Sequence, residues 1–299
     1  MAIRQDVGMP VDDNAERLGL RETALVLGGG GLVGAAWEFG VLAGLADLGV
    51  DLTDADVVIG TSAGAVVGAQ ITSGLPLGEL YRAQLEATDE HPVTMRRRAR
   101  WWMAWAMLRG GDPQRFRQRV GMMARSAKTM PESERRVTFQ RRLPVHLWPD
   151  RRLLLTAVDA VSGEFVVFDR DAGVPLLDAV AASCAAPGVS PPITIGPHQY
   201  IDGGMRSFAN ADLAAGSKRV VVIAPITAGG GFWTPVADQM TDLRRSATVA
   251  LVSPDQDAKE AIGPNALDPA RRAPAARSGY RQATSIIDTI RGAWTTPAR

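Results

Sequence analysis

Three glycine-bracketed stretches hold the residues whose types and spacing suit chemistry. Gly60-Thr61-Ser62-Ala63-Gly64 fits G-x-S-x-G, a sharp strand-to-helix turn that lifts a serine hydroxyl to the end of a sheet. There Ser62 would stand at the positive end of a helix dipole, which lowers the cost of negative charge nearby. The same letters also suit Thr61 or Ser62 as a plain helix N-cap. Asp202-Gly203-Gly204 offers a carboxylate in a glycine-bounded loop, able to accept a proton from Ser62; alone it is equally a D-G turn. Gly28-Gly29-Gly30-Gly31, with Gly34 behind it, exposes backbone N–H groups near a helix start, where a developing oxyanion needs them. Gly29, Gly31 and Gly34 also fit G-x-G-x-x-G, with Asp51 and Asp54 about 20 residues on, the pattern of a dinucleotide fold. A tight strand-to-helix turn accounts for the same glycines.

The base for Ser62 follows from chain order. A Ser-His-acid hydrolase with this elbow runs Ser, acid, His, and no histidine follows residue 198. His91 and His146 sit in no motif, and His198 lies just upstream of Asp202. A two-residue Ser62–Asp202 arrangement is therefore preferred to a triad. An ordinary Asp, with a pKa of ~3.9, is a feeble base for a hydroxyl. Burial would raise that value and neighbouring glycine N–H groups would lower it.

The elements that must hold these groups alternate. Thr23–Leu27 and Asp56–Ile59 are short apolar runs ending at the first two glycine turns. Gly34–Leu48 places Trp37, Val41, Leu42, Leu45 and Leu48 at the spacing of an amphipathic helix, and Ala65–Ile71 is a helix of small residues. Strand, glycine turn, helix, twice over, is the pattern of a parallel sheet covered by helices. Pro76 to about Arg142 reads as a helical cap or insertion. Arg152–Val158 and Glu164–Phe168 form a hairpin-like pair about Ser162-Gly163, and Val174–Cys184 is a helix with Pro175 near its start. His198–Ile201 is a short strand and Arg219–Ala224 a buried one. Pro235–Leu251 and the C-terminus are expected to be helical, Asn265–Ser278 loose, and residues 1–21 a polar arm. The expected architecture is one α/β domain over 22–299, three-layer α/β/α with a mostly parallel sheet and C-terminal helices about 235–292.

Composition narrows the classes. The chain has 299 residues with net charge +1, 46% hydrophobic and 22% charged, enough for a sizeable core. A lone cysteine, Cys184, excludes a disulfide framework or a cysteine zinc cluster, and three scattered histidines argue against a multi-His metal site. No ligand cluster is visible, so neither metal nor cofactor is expected. No apolar run approaches the ~20 residues of a membrane span, and the N-terminus lacks a signal-peptide core, so a cytoplasmic protein is expected. Charge is uneven: between Met95 and Arg152 there are 16 basic and four acidic residues.

LVLGGGGLVGAAWEFGVL, GTSAGA, AASCAAPGVSPP and YIDGGMRSFANADL together resemble the patatin-like phospholipases, particularly bacterial members, over about Ala24 to Pro225. The resemblance implies a lipid acyl hydrolase on a three-layer α/β/α fold, with Ser62 as nucleophile and Asp202 as base. It makes Gly29, Gly30 and Gly31 the oxyanion loop, with the N–H of Ala63 as a further donor. Where family members commonly carry Arg or Lys before the last glycine of that loop, this chain has Val33. The implied substrate is a lipid or lysolipid ester. The run Arg96–Leu108 sets Arg96, Arg97, Arg98 and Arg100 beside Trp101, Trp102 and Trp105, a composition suited to peripheral contact with a membrane surface. The competing reading packs Trp101, Trp105 and Leu108 on the domain as one helix face. No nucleic-acid module accompanies these arginines, so no nucleic-acid partner is expected.

Overall fold

A computed structural model of the chain describes residues 21–86 and 97–295. The expected N-terminal arm, His91 and Arg96 lie outside them, and only the backbone of Arg97, Arg98 and Arg100 is described. Strand β1 (Arg21–Leu27) leads through the glycines into α1 (Gly31–Asp47), and β2 (Val57–Gly60) leads through Ser62 into α2 (Ala63–Ile71). Four helices follow: α3 (Leu77–Leu85), α4 (Arg97–Leu108), α5 (Pro113–Ser126) and α6 (Glu132–Arg142). Asp112 caps α5 by accepting from the Arg115 N–H, with Pro113 in the first turn. Then come β3 (Arg152–Asp159), β4 (Phe165–Phe168), α7 (Leu176–Ser183), β5 (Ile193–Ile195), β6 (His198–Asp202) and β7 (Ser217–Ile223). The chain continues through α8 (Val236–Leu243), β8 (Thr248–Val252), α9 (Gln256–Ile262) and α10 (Arg272–Trp294).

One eight-stranded sheet runs β5-β6-β3-β2-β1-β7-β8, with β4 also on β3. The β3-β2-β1-β7-β8 stretch is parallel, while β4 and β6 run antiparallel to β3 and β5 antiparallel to β6. The central strands are apolar on both faces because both are covered. Leu25, Leu27, Val58, Leu153 and Val221 point into one core beneath α1, α2, α7 and α10. Ala24, Val26, Ile59, Leu154 and Val222 point into the other, beneath α8 and the 3-10 turn Ala211–Ala214. The result is a three-layer α/β/α arrangement around a mostly parallel sheet.

Four expectations change on contact with the tertiary structure. The helix expected over Pro235–Leu251 stops at Leu243, and Thr248–Val252 is a strand on β7. TVALV is a short run rich in β-branched residues that is paired only through β7, the strand before it, so its own letters did not reveal the pairing. α1 is not amphipathic: residues 33–45 are buried all round, because α10, α2 and α3 pack around it and its side chains join the core over the sheet. The loose stretch expected to Ser278 is helical from Arg272. Finally, of the two readings of α4, the one that packs Trp101, Trp105 and Leu108 on the domain is not met: all three are exposed, and Ala106 with the partly buried Trp102 and Met103 faces inward.

α1 and α10 approach backbone to backbone, through Gly40 and Gly44 on one helix and Gly279 on the other. A Cβ at Gly40 would collide with the Ala276 carbonyl, whereas one at Gly292, further along α10, would meet nothing. Overpacking typically costs ~1–3 kcal/mol, so Gly40→Ala should lower Tm by about 3–10 °C. Gly292→Ala should leave Tm unchanged or slightly higher, Ala being the better helix former. Equal thermal melts for the two variants would contradict the crossing.

Candidate active site

Parallel strands end together at one sheet edge, and the three glycine turns meet there. β1 and β2 pair in register, Leu27 opposite Gly60, so Gly28 and Thr61 leave the sheet side by side. β3 pairs with β2 at Leu155↔Gly60 and with β6 at Ala157↔Asp202. One strand thus sets the distance between the serine turn and the aspartate.

Ser62 takes φ 54° and ψ −113°, in the positive-φ region that non-glycine residues rarely occupy. Several contacts hold it there. The Ser62 N–H donates to Ser183 Oγ at 3.0 Å, the Cys184 thiol donates to the Ser62 carbonyl at 3.0 Å, and the Gly64 N–H reaches the Gly28 carbonyl at 3.0 Å. A Cβ at Gly64 would strike the Leu27 carbonyl, so the turn requires glycine there. This conformation is a strained elbow rather than a simple cap, and the Ser62 side chain makes no cap hydrogen bond.

Ser62 Oγ donates to Asp202 Oδ2 at 2.7 Å, and Asp202 Oδ1 accepts from the Gly204 N–H at 2.8 Å. Asp202 is 3% exposed. Burial pushes its carboxyl up to about 6, outweighing the hydrogen bonds from Ser62 and Gly204 and the positive charge of Arg135. Burial also pushes the Cys184 thiol up to about 12, so it stays protonated beside the elbow.

The glycine loop divides. The Gly28 N–H donates to Ile223 O and to Glu38 Oε1, both at 2.9 Å, and the Gly29 N–H donates to Phe208 O at 2.6 Å. Gly30, Gly31 and Ala63 have no acceptor for their N–H groups among the described residues. Gly29 lies against Ser62, Gly31 takes φ 64°, and Gly34 closes the first turn of α1 on the Gly30 carbonyl. Val33 is fully buried in the main core, where a basic side chain would need a partner. Gly203 lies against Thr156, whose position leaves no space for a Cβ.

Several positioning residues escaped the motif reading. A buried polar cluster ties the turns together: Thr61 Oγ1 and Thr156 Oγ1 are 2.9 Å apart, and Asn210 Nδ2 donates to Thr61 Oγ1 at 3.1 Å and to Ser207 O at 2.8 Å. Asn210 does this from a left-handed backbone, φ 50°. Glu38 is wholly buried beneath the loop, and Oε2 has no hydrogen-bond partner. Burial holds its carboxyl well above the usual range. A charged residue amid the apolar letters of Gly34–Leu48 was the available signal. Ser183 and Asn210 stand inside AASCAAPGVSPP and YIDGGMRSFANADL, but the motifs gave neither a role.

Other expected players lie elsewhere. His146 contacts the Gln140 carbonyl, and His198 Nδ1 contacts Asp159 Oδ2 at 2.9 Å, so neither is on Ser62 or Asp202. Asp51 and Asp54 precede β2, whereas a dinucleotide's ribose acid belongs at the opposite end of that strand, next to the glycine loop. Among the described residues there is no group of three or more His, Cys, Asp or Glu able to hold a metal ion, and no helix long and apolar enough to cross a membrane.

A family model described as patatin-like phospholipase matches residues 25–215. An uncharacterised NTE family protein of Mycobacterium tuberculosis is 28% identical over 201 residues, covering 64% of this chain and 28% of the relative. This chain thus spans less than a third of that relative's length. Among solved structures, VipD from Legionella pneumophila matches with a TM-score of 0.45 and 12% identity, covering 90% of this chain and 67% of that one. ExoU in complex with SpcU, from Pseudomonas aeruginosa, matches with a TM-score of 0.35 and 14% identity, covering 91% and 53%.

The buried carboxyl makes stability depend on pH. Its value is raised from 3.8 to about 6, so the folded chain keeps this proton longer than the unfolded chain. The resulting penalty is absent below pH ~4, grows between ~4 and ~6, and levels at about 3 kcal/mol above that. Asp202→Asn has no charge to bury. Its Tm relative to the parent should therefore rise from pH 4 to pH 8; a difference that is flat with pH would contradict the assignment.

Proposed function

This chain belongs to the patatin-like phospholipase family, and from that premise we propose that it is a serine acyl hydrolase cleaving carboxylic ester bonds of lipids, with 22–299 acting as one hydrolase domain. The observation that carries the reading is the 2.7 Å hydrogen bond from Ser62 Oγ to a carboxylate buried at the same sheet edge. Ser62 Oγ attacks the ester carbonyl while its proton passes to Asp202, and the developing oxyanion is met by N–H groups. Gly30, Gly31 and Ala63 are the proposed donors, because the Gly29 amide is engaged by Phe208. Collapse of the tetrahedral species expels the alcohol, which takes the proton from Asp202. Water then repeats the sequence on the acyl-enzyme.

A base near 6 suits this work better than an ordinary aspartate: it is ionised at neutral pH yet holds a proton more readily. The elbow's fixed backbone and the surrounding polar cluster hold hydroxyl, carboxylate and amides without rearrangement, which supports electrostatic stabilisation as the main source of rate. No step uses a metal. The reading makes the substrate a phospholipid, lysophospholipid or related lipid ester met at a membrane surface. A dinucleotide oxidoreductase would leave Ser62 and Asp202 without purpose, and a lipid carrier of this fold would need no activated serine.

Ser62→Ala should lower turnover of a short-chain ester by at least ~10³-fold, and Asp202→Asn by ~10²–10⁴-fold, with folding intact. A fluorophosphonate probe should label the parent chain and not Ser62→Ala. kcat/KM should fall as pH drops through about 6, where Asp202 takes up its proton, and activity should survive EDTA. Undiminished turnover in purified Ser62→Ala would overturn the reading.

A further inference from the structure

α4 presents a hydrophobic face that no described residue covers. Trp101, Trp105 and Leu108 recur at i, i+4 and i+7 and so share one side of the helix. Trp101 is 73% exposed, Trp105 38% and Leu108 87%, with Met107 exposed next to them. The helix is nonetheless anchored. Its inner side, Ala106 with Trp102 and Met103, joins a cluster with Phe116, Val120, Ile201 and Met205, the last two flanking Asp202-Gly203-Gly204. The indoles of Trp101, Trp102 and Trp105 line a shallow cleft of about 340 Å³. The Arg109 guanidinium lies 4.7 Å above the Trp105 ring.

We propose that this face docks the chain on an anionic lipid surface, with Trp101, Trp105 and Leu108 entering the interfacial layer. The proposal rests on the acyl-hydrolase reading and says how that site is brought to its substrate. Exposed indoles on a fixed helix suit the boundary between headgroups and acyl chains, where their rings are buried and their N–H groups stay wet. Charge selects the kind of surface: residues 97–111 contain four arginines and no acidic residue, which complements anionic headgroups. A second copy of the chain is a poor occupant for the same reason, since pairing would set like charges against each other. The helix on which α4 packs, α5, also contacts β6, the strand that ends at Asp202.

The test uses the 299-residue chain carrying Ser62→Ala, so that binding is read without turnover and its outcome is separate from whether the parent hydrolyses esters. Flotation with phosphatidylcholine vesicles, with and without phosphatidylglycerol, should show binding that needs the anionic lipid and weakens as NaCl is raised. Trp101→Ala/Leu108→Ala in the same background should weaken binding by about tenfold or more, as expected on losing large buried apolar groups. Leu147→Ala, which removes another exposed leucine (78%) well outside this helix, should not. Brominated phosphatidylcholine in the anionic vesicles should quench indole fluorescence, a measurement needing no change to the helix. The proposal is overturned by absent vesicle binding, by binding indifferent to both anionic lipid and salt, or by a double variant that folds and binds as its parent does. Self-association abolished by the double variant would overturn it too, assigning the face to a second copy.

Discussion

A carboxyl group taken out of water next to a hydroxyl, at the edge where parallel strands end, is the constraint on which the rest of this structure turns. Asp202 keeps two hydrogen bonds, from Ser62 Oγ and the Gly204 N–H, and loses its hydration. Two bonds do not replace the water, so the ionised form is disfavoured and the group is poised near neutrality. That state survives only if the chain around it is rigid enough to refuse the relaxation that would let water back in. Strand β3 provides the rigidity, because its pairing with β2 and with β6 fixes both partners of the hydrogen bond to one backbone.

Strain and buried polarity concentrate at the same edge. Ser62 sits at positive φ, Asn210 is left-handed, and Glu38 holds a carboxyl oxygen with no partner in the core. Each is destabilising by itself. Around them Thr61, Thr156 and Ser207 are buried yet hydrogen-bonded, and the Gly28 and Gly29 amides are tied to neighbouring segments. A fold optimised only for stability would relieve these features. Their collection at one edge fits a site in which polar groups are arranged before substrate arrives.

The helical segment has a different economy. α1 is enclosed by α10, α2 and α3 in the layer over the sheet, with glycines permitting the close crossing on α10. α4 is the opposite: four of its apolar side chains, Trp101, Trp105, Met107 and Leu108, face outward while Ala106 faces in. The two helices have comparable numbers of large apolar residues, and their different fates reflect what lies beside them.

Sequence alone determined the groups and their order. The glycine–serine elbow, the tetraglycine loop and the Asp202-Gly203-Gly204 turn are local, because each requires small residues where backbone segments touch, and that requirement is written in consecutive letters. The parallel character of β1, β2 and β7 was legible too, through continuous apolar runs followed by helices. Tertiary structure decided whatever depended on distant partners. Desolvation of Asp202 comes from strands and helices far along the chain, so whether burial or hydrogen bonding would dominate its acidity had no local signature. Thr248–Val252 became a strand because β7 was there to receive it. Gly29 lost its amide to Phe208, some 180 residues away, a pairing that nothing in the letters themselves specifies. Trp101, Trp105 and Leu108 have the periodicity of a packed helix face. Periodicity specifies that they share a side, but only the neighbours of that side decide whether it meets protein or solvent.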